Sequence, residues 1–176
     1  MNTPVLNDVL IAGTRLPATR QVDGRLLVLN GAGLRSLLML KVYVAALYVT
    51  RPARTAEAVL FSPETRAVEL IIKRSIDAGT ILDSFHGALR QNLRRDLYQS
   101  LSPRFDELDT AIRHIRHTRE GDSLCLEFGE DGNTHIRFNG EHRATLNGEG
   151  LAAGLLSLWL GDKPVQDSLK KALLGG

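Results

Sequence analysis

The residues most able to do chemistry in this sequence are a cation and a phenol set beside apolar side chains. Arg35 closes the run Leu29-Asn30-Gly31-Ala32-Gly33-Leu34-Arg35, and Lys41-Val42-Tyr43-Val44-Ala45-Ala46-Leu47-Tyr48-Val49 follows shortly after it. A guanidinium presents a rigid fork of donors that suits a carboxylate or another oxyanion, and a phenol adds one more donor. Gly31-Ala32-Gly33 reads as a turn that delivers Arg35 to a long apolar strand, so the pattern predicts one anion site against a dry wall. Leu38, Leu40, Val42, Leu82 and Phe85 are the expected wall. Lys41 either snorkels away from the strand or supplies a second cation. The ordinary alternatives are that Arg35 caps carbonyls near the glycines or pairs with Glu69 or Glu149, and that Tyr43 is a core tyrosine with a satisfied hydroxyl.

Other reactive patterns carry less. His114 and His117 share a helix face, but Arg113, Arg116 and Arg119 surround them and no cysteine completes a zinc set, so no metal site is expected. Ser84-Phe85-His86 lacks the Gly-x-Ser-x-Gly context of a nucleophile elbow. Arg90, Arg94 and Arg95 make a basic helix patch without interleaved aromatics to stack on bases, which fits a solvated face. His86, His135 and His142 have no convincing partners in the sequence. Cys125, the single cysteine, alternates with Leu124 and Leu126 and reads as a small packed side chain.

The elements that must position these groups follow from periodicity. Val9 to Ala12 and Leu26 to Leu29 suit strands separated by Pro17, Asp23 and Gly24. Leu37 to Thr50 reads as a strand covered on both faces, ended by Arg51-Pro52. Thr55 to Phe61 suits a short helix, and Ala67 to Ile72 another strand. Ile81, Phe85, Leu89, Leu93 and Leu97 recur every four residues, which predicts a helix over Asp77–Tyr98. Ser102-Pro103 then reads as the cap and first position of a second helix that stops near Gly121. Leu124 to Phe128 and Ile136 to Phe138 alternate about Asp131-Gly132-Asn133 as a hairpin, and Ala144 to Leu146 pairs once more. Leu151 to Trp159 marks a third helix ending at Gly161, and Asp162 and Pro164 start a fourth. Strands first, helices in the middle, a hairpin and then helices is an α+β order.

At 176 residues the chain has the size of one domain, and its 43% apolar content is enough for a substantial core. Lys plus Arg at 22 against Asp plus Glu at 20 is too near balance to favour a nucleic-acid partner. No apolar run reaches the roughly 20 residues of a membrane span, because Lys41 interrupts the most apolar stretch. The first dozen residues do not read as a secretory signal. A soluble chain is expected, cytoplasmic as it stands, or periplasmic if a signal peptide has been removed. No cofactor is implied, and the oligomeric state is not fixed by these patterns.

Gly31-Ala32-Gly33-Leu34-Arg35 followed by Lys41 to Tyr48 resembles the chalcone isomerase-like family, and Trp159-Leu160-Gly161-Asp162-Lys163-Pro164-Val165 is similar to the ending found in its bacterial branch. The resemblance runs loosely from Leu26 to Leu174, as a single domain over residues 1–176. It implies an open-faced β-sandwich, a large antiparallel sheet backed by a layer of helices with the ligand between them. It also implies that Arg35 matches the arginine that holds a polyphenol and stabilises negative charge during ring closure in the plant enzymes. Tyr43 stands where those enzymes have threonine, and Thr80 and Gly87 stand where they have a tyrosine and an asparagine. Related members bind fatty acids without catalysis, using the same arginine and a strand tyrosine on the carboxylate.

These expectations converge on non-catalytic binding of a small apolar ligand with an anionic head, such as a fatty acid. Arg35, Tyr43, Lys41 and Thr80 are the candidate contacts. The alternatives are an intramolecular lyase closing a ring on a conjugated carbonyl substrate, with Arg35 as its catalytic cation, and a protein-interaction module without a ligand.

Overall fold

The computed structural model describes residues 8–176. The chain opens with β1 (Val9–Ile11), β2 (Thr14–Leu16), β3 (Thr19–Val22), β4 (Arg25–Leu37) and β5 (Leu40–Val49). Helix α1 (Ala56–Leu60) leads to β6 (Arg66–Ile72) and β7 (Ile76–Asp77), followed by α2 (Ala78–Asn92) and α3 (Arg95–Arg113). Then come β8 (His117–Thr118), β9 (Ser123–Phe128), β10 (Asn133–Phe138), β11 (Glu141–Asn147), α4 (Leu151–Leu160) and α5 (Asp167–Leu173).

Seven strands form one antiparallel sheet in the order β11-β10-β9-β6-β5-β4-β3. Strand periodicity divides its side chains between two faces. On one face Ala45, Leu47, Val68, Leu70, Leu124, Leu126, Phe128 and Ile136 pack against Leu82, Phe85 and Leu89 of α2, Phe105 and Leu108 of α3, and Leu155 and Trp159 of α4. On the other face Val44, Ala46, Tyr48, Ala67 and Cys125 pack with Leu16, Val22 and Leu27. This is the expected α+β open-faced sandwich, and the apolar run of β5 is buried on both sides as its composition required.

Charge is also sorted by face. Arg20 pairs with Glu69 and lies 3.5 Å from Glu127, which Arg137 holds at 2.7 Å, all on the face away from the helices. Glu69 is therefore not a partner for Arg35. Cys125 sits on this same face with 2% exposure, and burial pushes its thiol up to about 12, consistent with a packing role.

Several boundaries differ from the sequence expectation. Gly31 and Gly33 do not make a turn; they lie in the middle of β4, because α5 rests on them. A Cβ at Gly31 would lie 2.6 Å from the Leu173 carbonyl oxygen and closer still to that of Ala172, and one at Gly33 would lie 3.0 Å from both Ala172 Cβ and Leu169 Cδ1. The actual turn is Leu38-Met39. The first long helix ends at Asn92 rather than Tyr98, where the Asn92 amide donates to Ala88 O and Lys163 O and accepts from Lys163 N.

Pro103 lies inside α3 rather than at its start, and the helix stops at Arg113 rather than near Gly121, so His117 lies on β8 and shares no helix face with His114. Burial of Leu101 and Phe105 on either side, at roughly 1.5–3 kcal/mol each, is enough to offset the roughly 3 kcal/mol that an interior proline costs. The last helix begins at Asp167, after an extended Gln166, not at Asp162. The short strands β2 and β3 have no counterpart in the sequence expectation; Thr-Arg-Leu and Thr-Arg-Gln-Val alternate too weakly to stand out.

Two glycines separate close approach from mere occurrence. Gly31→Ala is expected to lower stability by roughly 1–3 kcal/mol or more, since the methyl group meets backbone that cannot move without displacing α5. Gly87, in α2, has nothing within 4 Å of the point a Cβ would occupy and should accept alanine with a gain of roughly 0.5–1 kcal/mol. Urea unfolding of both variants checks the contrast.

Candidate ligand-binding site

The register of β4 on β5 sets Arg35 opposite Tyr43, and that of β5 on β6 sets Tyr43 opposite Ile72. Directly paired residues share a face, so all three point toward the helices. Above them, Thr80, Ile81, Ser84 and Phe85 recur on one side of α2, with Leu158 of α4 and Val165 of the α4–α5 loop. Together with Leu37, Val42, Leu70, Ile76 and Leu124 these enclose a cavity of about 120 Å³. Its polar side chains are Arg35, Tyr43, Thr80 and Ser84; the remainder are Leu, Ile, Val and Phe.

A bulge in β5 at Val42, between the Arg35–Tyr43 and Ser36–Lys41 pairs, breaks the simple alternation next to the guanidinium. Gln166 holds this segment: its amide donates to Leu34 O at 2.9 Å, and its oxygen accepts from Ser36 N at 2.9 Å and from the Arg35 guanidinium at 3.4 Å. Arg35 also donates to Ser36 O at 3.3 Å. Both acceptors are neutral, and among the described residues no carboxylate lies within ion-pair distance of Arg35. A half-buried guanidinium without a counter-charge is poised for an anion.

Tyr43 is held by Trp159, whose indole N–H donates to the phenol oxygen at 3.0 Å. Because an indole can only donate, the Tyr43 hydroxyl proton remains available, and it has no acceptor among the described residues. Burial pushes the Tyr43 phenol above its ordinary value, more than the Trp159 bond and the nearby Arg35 charge draw it down. The group is thus a neutral donor at physiological pH. Trp159 is itself fixed by an edge contact with Phe85, ring centroids 6.3 Å apart.

The other sequence candidates fall at the margin or outside. Thr80 borders the cavity, but its hydroxyl donates to Asp77 at 3.1 Å and its backbone N–H to the same carboxylate at 2.8 Å, as part of the N-cap of α2. Lys41 is exposed opposite Ser36, beyond the bulge, and does not line the cavity. Of the expected apolar wall, Val42 and Phe85 line the cavity, Leu82 is packed in the core, and Leu38 and Leu40 are exposed. Gly87 is not part of the lining.

Sequence reasoning missed Gln166 and Ser84 as parts of the site. Gln166 directly follows the closing motif, which is the available signal. Ser84 stands out in sequence only as a nucleophile without its motif, although it shares a helix face with Ile81 and Phe85. Histidines without sequence partners find them in space: His86 bonds Tyr98 at 2.8 Å and Asp109 at 2.7 Å, and His135 and His142 both reach the Thr145 hydroxyl. Among the described residues no three His, Cys, Asp or Glu side chains are grouped to hold a metal.

This fold has known counterparts. A chalcone isomerase-like family model matches residues 8–175, and the chain belongs to that family. Its structure is similar to that of a fatty-acid binding protein of Arabidopsis thaliana, AtFAP1, with a TM-score of 0.74 over 96% of each chain at 15% sequence identity. No curated protein matches the sequence.

The Tyr43–Trp159 pair can be weighed by unfolding. Tyr43→Phe should cost about 1–3 kcal/mol, because it strands a buried indole N–H, whereas Tyr43→Phe with Trp159→Phe should cost less than the sum of the single changes. The phenol also carries a pH signature. Its folded value lies above that of the unfolded chain, so native stability falls as pH climbs past about 10, where only the unfolded state releases the proton. Tyr43→Phe should flatten that part of the alkaline slope in urea midpoints measured against pH.

Proposed function

We propose that this protein binds a fatty acid or a similar amphipathic acid without catalysis, with the carboxylate between Arg35 and Tyr43 and the chain against the apolar wall. The observation that carries this reading is the pairing of a guanidinium without a counter-charge and an uncommitted phenol proton with a cavity lined mostly by apolar side chains. A carboxylate there accepts from the guanidinium and from the phenol, bonds worth roughly 1.5–3 kcal/mol where a charge is involved. Each methylene buried along Leu70, Leu124 and Leu158 adds roughly 0.8 kcal/mol. The similarity to AtFAP1, a fatty-acid binding protein, supports the same ligand class.

Size narrows the class. Since a water needs about 10–15 Å³ on the same measure, the cavity holds on the order of ten heavy atoms. A medium-chain acid fits as the structure stands, and a longer one extends past the rim. The alternative of an intramolecular lyase uses the same cation to stabilise a developing oxyanion. Acceleration of ring closure with hydroxychalcones would favour it over pure binding. A fully packed interior beside Arg35 would have favoured an interaction module, and the cavity argues for a ligand instead.

Calorimetric titration with saturated acids of increasing length tests the proposal. Affinity should rise with chain length up to the medium range and then level off. Arg35→Ala should weaken binding by roughly 10- to 150-fold, the equivalent of one charge-assisted contact, and Tyr43→Phe by up to roughly tenfold. Unchanged affinity in Arg35→Ala, or no binding of any acid, overturns it.

A further inference from the structure

The β4–β5 hairpin ends in Leu37-Leu38-Met39-Leu40, and these four side chains are 55%, 87%, 99% and 50% exposed. Leu38 and Met39 both adopt left-handed backbone, with φ of 51° and 67°. Two-residue hairpins normally give those positions to Asn and Gly, which tolerate positive φ. Here the two left-handed positions of the hairpin carry large apolar side chains that bury little or nothing in the protein. An apolar tip kept against both local preferences and solvation points to an apolar phase outside the chain.

Charge and position identify that phase. Lys41 and Arg74 are exposed beside the tip, and Arg74 lines a groove with Leu38 and Leu40. Asp77, the carboxylate bordering that groove, is committed to the N-cap of α2. The groove shares Leu37, Val42, Ile76 and Thr80 with the ligand cavity, so the tip flanks the cavity's rim. Four protruding side chains fall well short of the roughly 800 Å² per partner of a standard protein interface. Apolar residues at a convex tip with cations behind them suit a fluid bilayer, where the side chains enter the acyl boundary and the cations stay among anionic headgroups.

We propose that Leu38 and Met39 insert into a lipid surface bearing anionic headgroups, with Lys41 and Arg74 at headgroup level, so that an acyl ligand passes between bilayer and cavity without crossing bulk water. The transfer role rests on the reading of the cavity as a fatty-acid site; the docking itself is independent of it.

Co-sedimentation of the full chain with vesicles of phosphatidylcholine and phosphatidylserine, in roughly a two-to-one ratio, reads the docking directly. Partition is expected, weaker with phosphatidylcholine alone and weaker as salt is raised. Leu38→Asn with Met39→Gly supplies the residues such a turn prefers, so the fold should be retained or stabilised in a thermal melt while vesicle partition falls about tenfold or more. Its affinity for a medium-chain acid presented from cyclodextrin should be unchanged. Arg35→Ala should show the reverse, normal partition with weakened acid binding.

No partition by the unmodified chain, or equal partition by the double variant, overturns the proposal. So does dissociation of a dimer by the same variant in analytical ultracentrifugation, which assigns the tip to a second copy. Vesicle partition without acid binding in the unmodified chain would sustain the docking and overturn the transfer role.

Discussion

Helix α5 can lie with its backbone against β4 because Gly31 and Gly33 present no side chain there, and the geometry of the site follows from that contact. With a Cβ at Gly31 excluded by the Leu173 carbonyl, the last turn of α5 comes close enough for the Asn30 amide to donate to Leu173 O at 2.7 Å. At the other end of the helix, Gln166 takes the Ser36 N–H and returns a bond to Leu34 O. The helix therefore grips β4 on both sides of the glycines and fixes the strand end that carries Arg35. Each such bond is worth only about 1 kcal/mol, but each also orients a backbone group that has no free alternative once buried.

The arginines show what is unusual about the one in the cavity. Arg20 and Arg137 meet Glu69 and Glu127 across the outer face of the sheet. Arg66, 5% exposed, donates to the Val59, Leu60 and Glu64 carbonyls around the end of α1, and burial draws its value below that of a free guanidinium. In each case desolvation is offset by carboxylates or by several carbonyls. Arg35 has one backbone carbonyl and one amide oxygen, both at the long end of hydrogen-bond range. Its remaining donor capacity faces the cavity, beside a phenol whose proton is likewise uncommitted.

Much of this arrangement was legible in the sequence, for identifiable reasons. The apolar run of β5 announced a strand buried on both faces, the four-residue spacing from Ile81 to Leu89 announced α2, and the alternation about Asp131-Gly132-Asn133 announced the β9–β10 hairpin. Arg35 and Tyr43 stood out because a cation and a phenol interrupted apolar surroundings. What was hidden depended on distant pairing. Glycines in a turn and glycines under a helix look the same in one dimension, so the local structure of Gly31 and Gly33 is misread from sequence, although their neighbour Arg35 does border an apolar cavity. Lys41 falls outside the cavity because a bulge at Val42 interrupts the alternation of β5 that sequence spacing assumes. Gln166 and the Trp159–Tyr43 bond join residues more than a hundred positions apart, and no local pattern reports them.

The polar groups of the cavity also constrain what any bound molecule experiences. Arg35 and Tyr43 are donors, the Thr80 hydroxyl is spent on Asp77, and Ser84 sits on exposed helix surface at the rim. No carboxylate or imidazole lines the cavity among the described residues. A raised phenol value means that Tyr43 keeps its proton at physiological pH, so it serves poorly there as a base. Such a cavity lowers the energy of an anion that arrives already ionised, and the same two donors would lower the energy of an oxyanion that develops within it. What separates the two outcomes is the ligand: a saturated acid offers these donors a stable charge and no bond to make, whereas a conjugated carbonyl with an ionised phenol brings its own nucleophile and needs only that its charge be held.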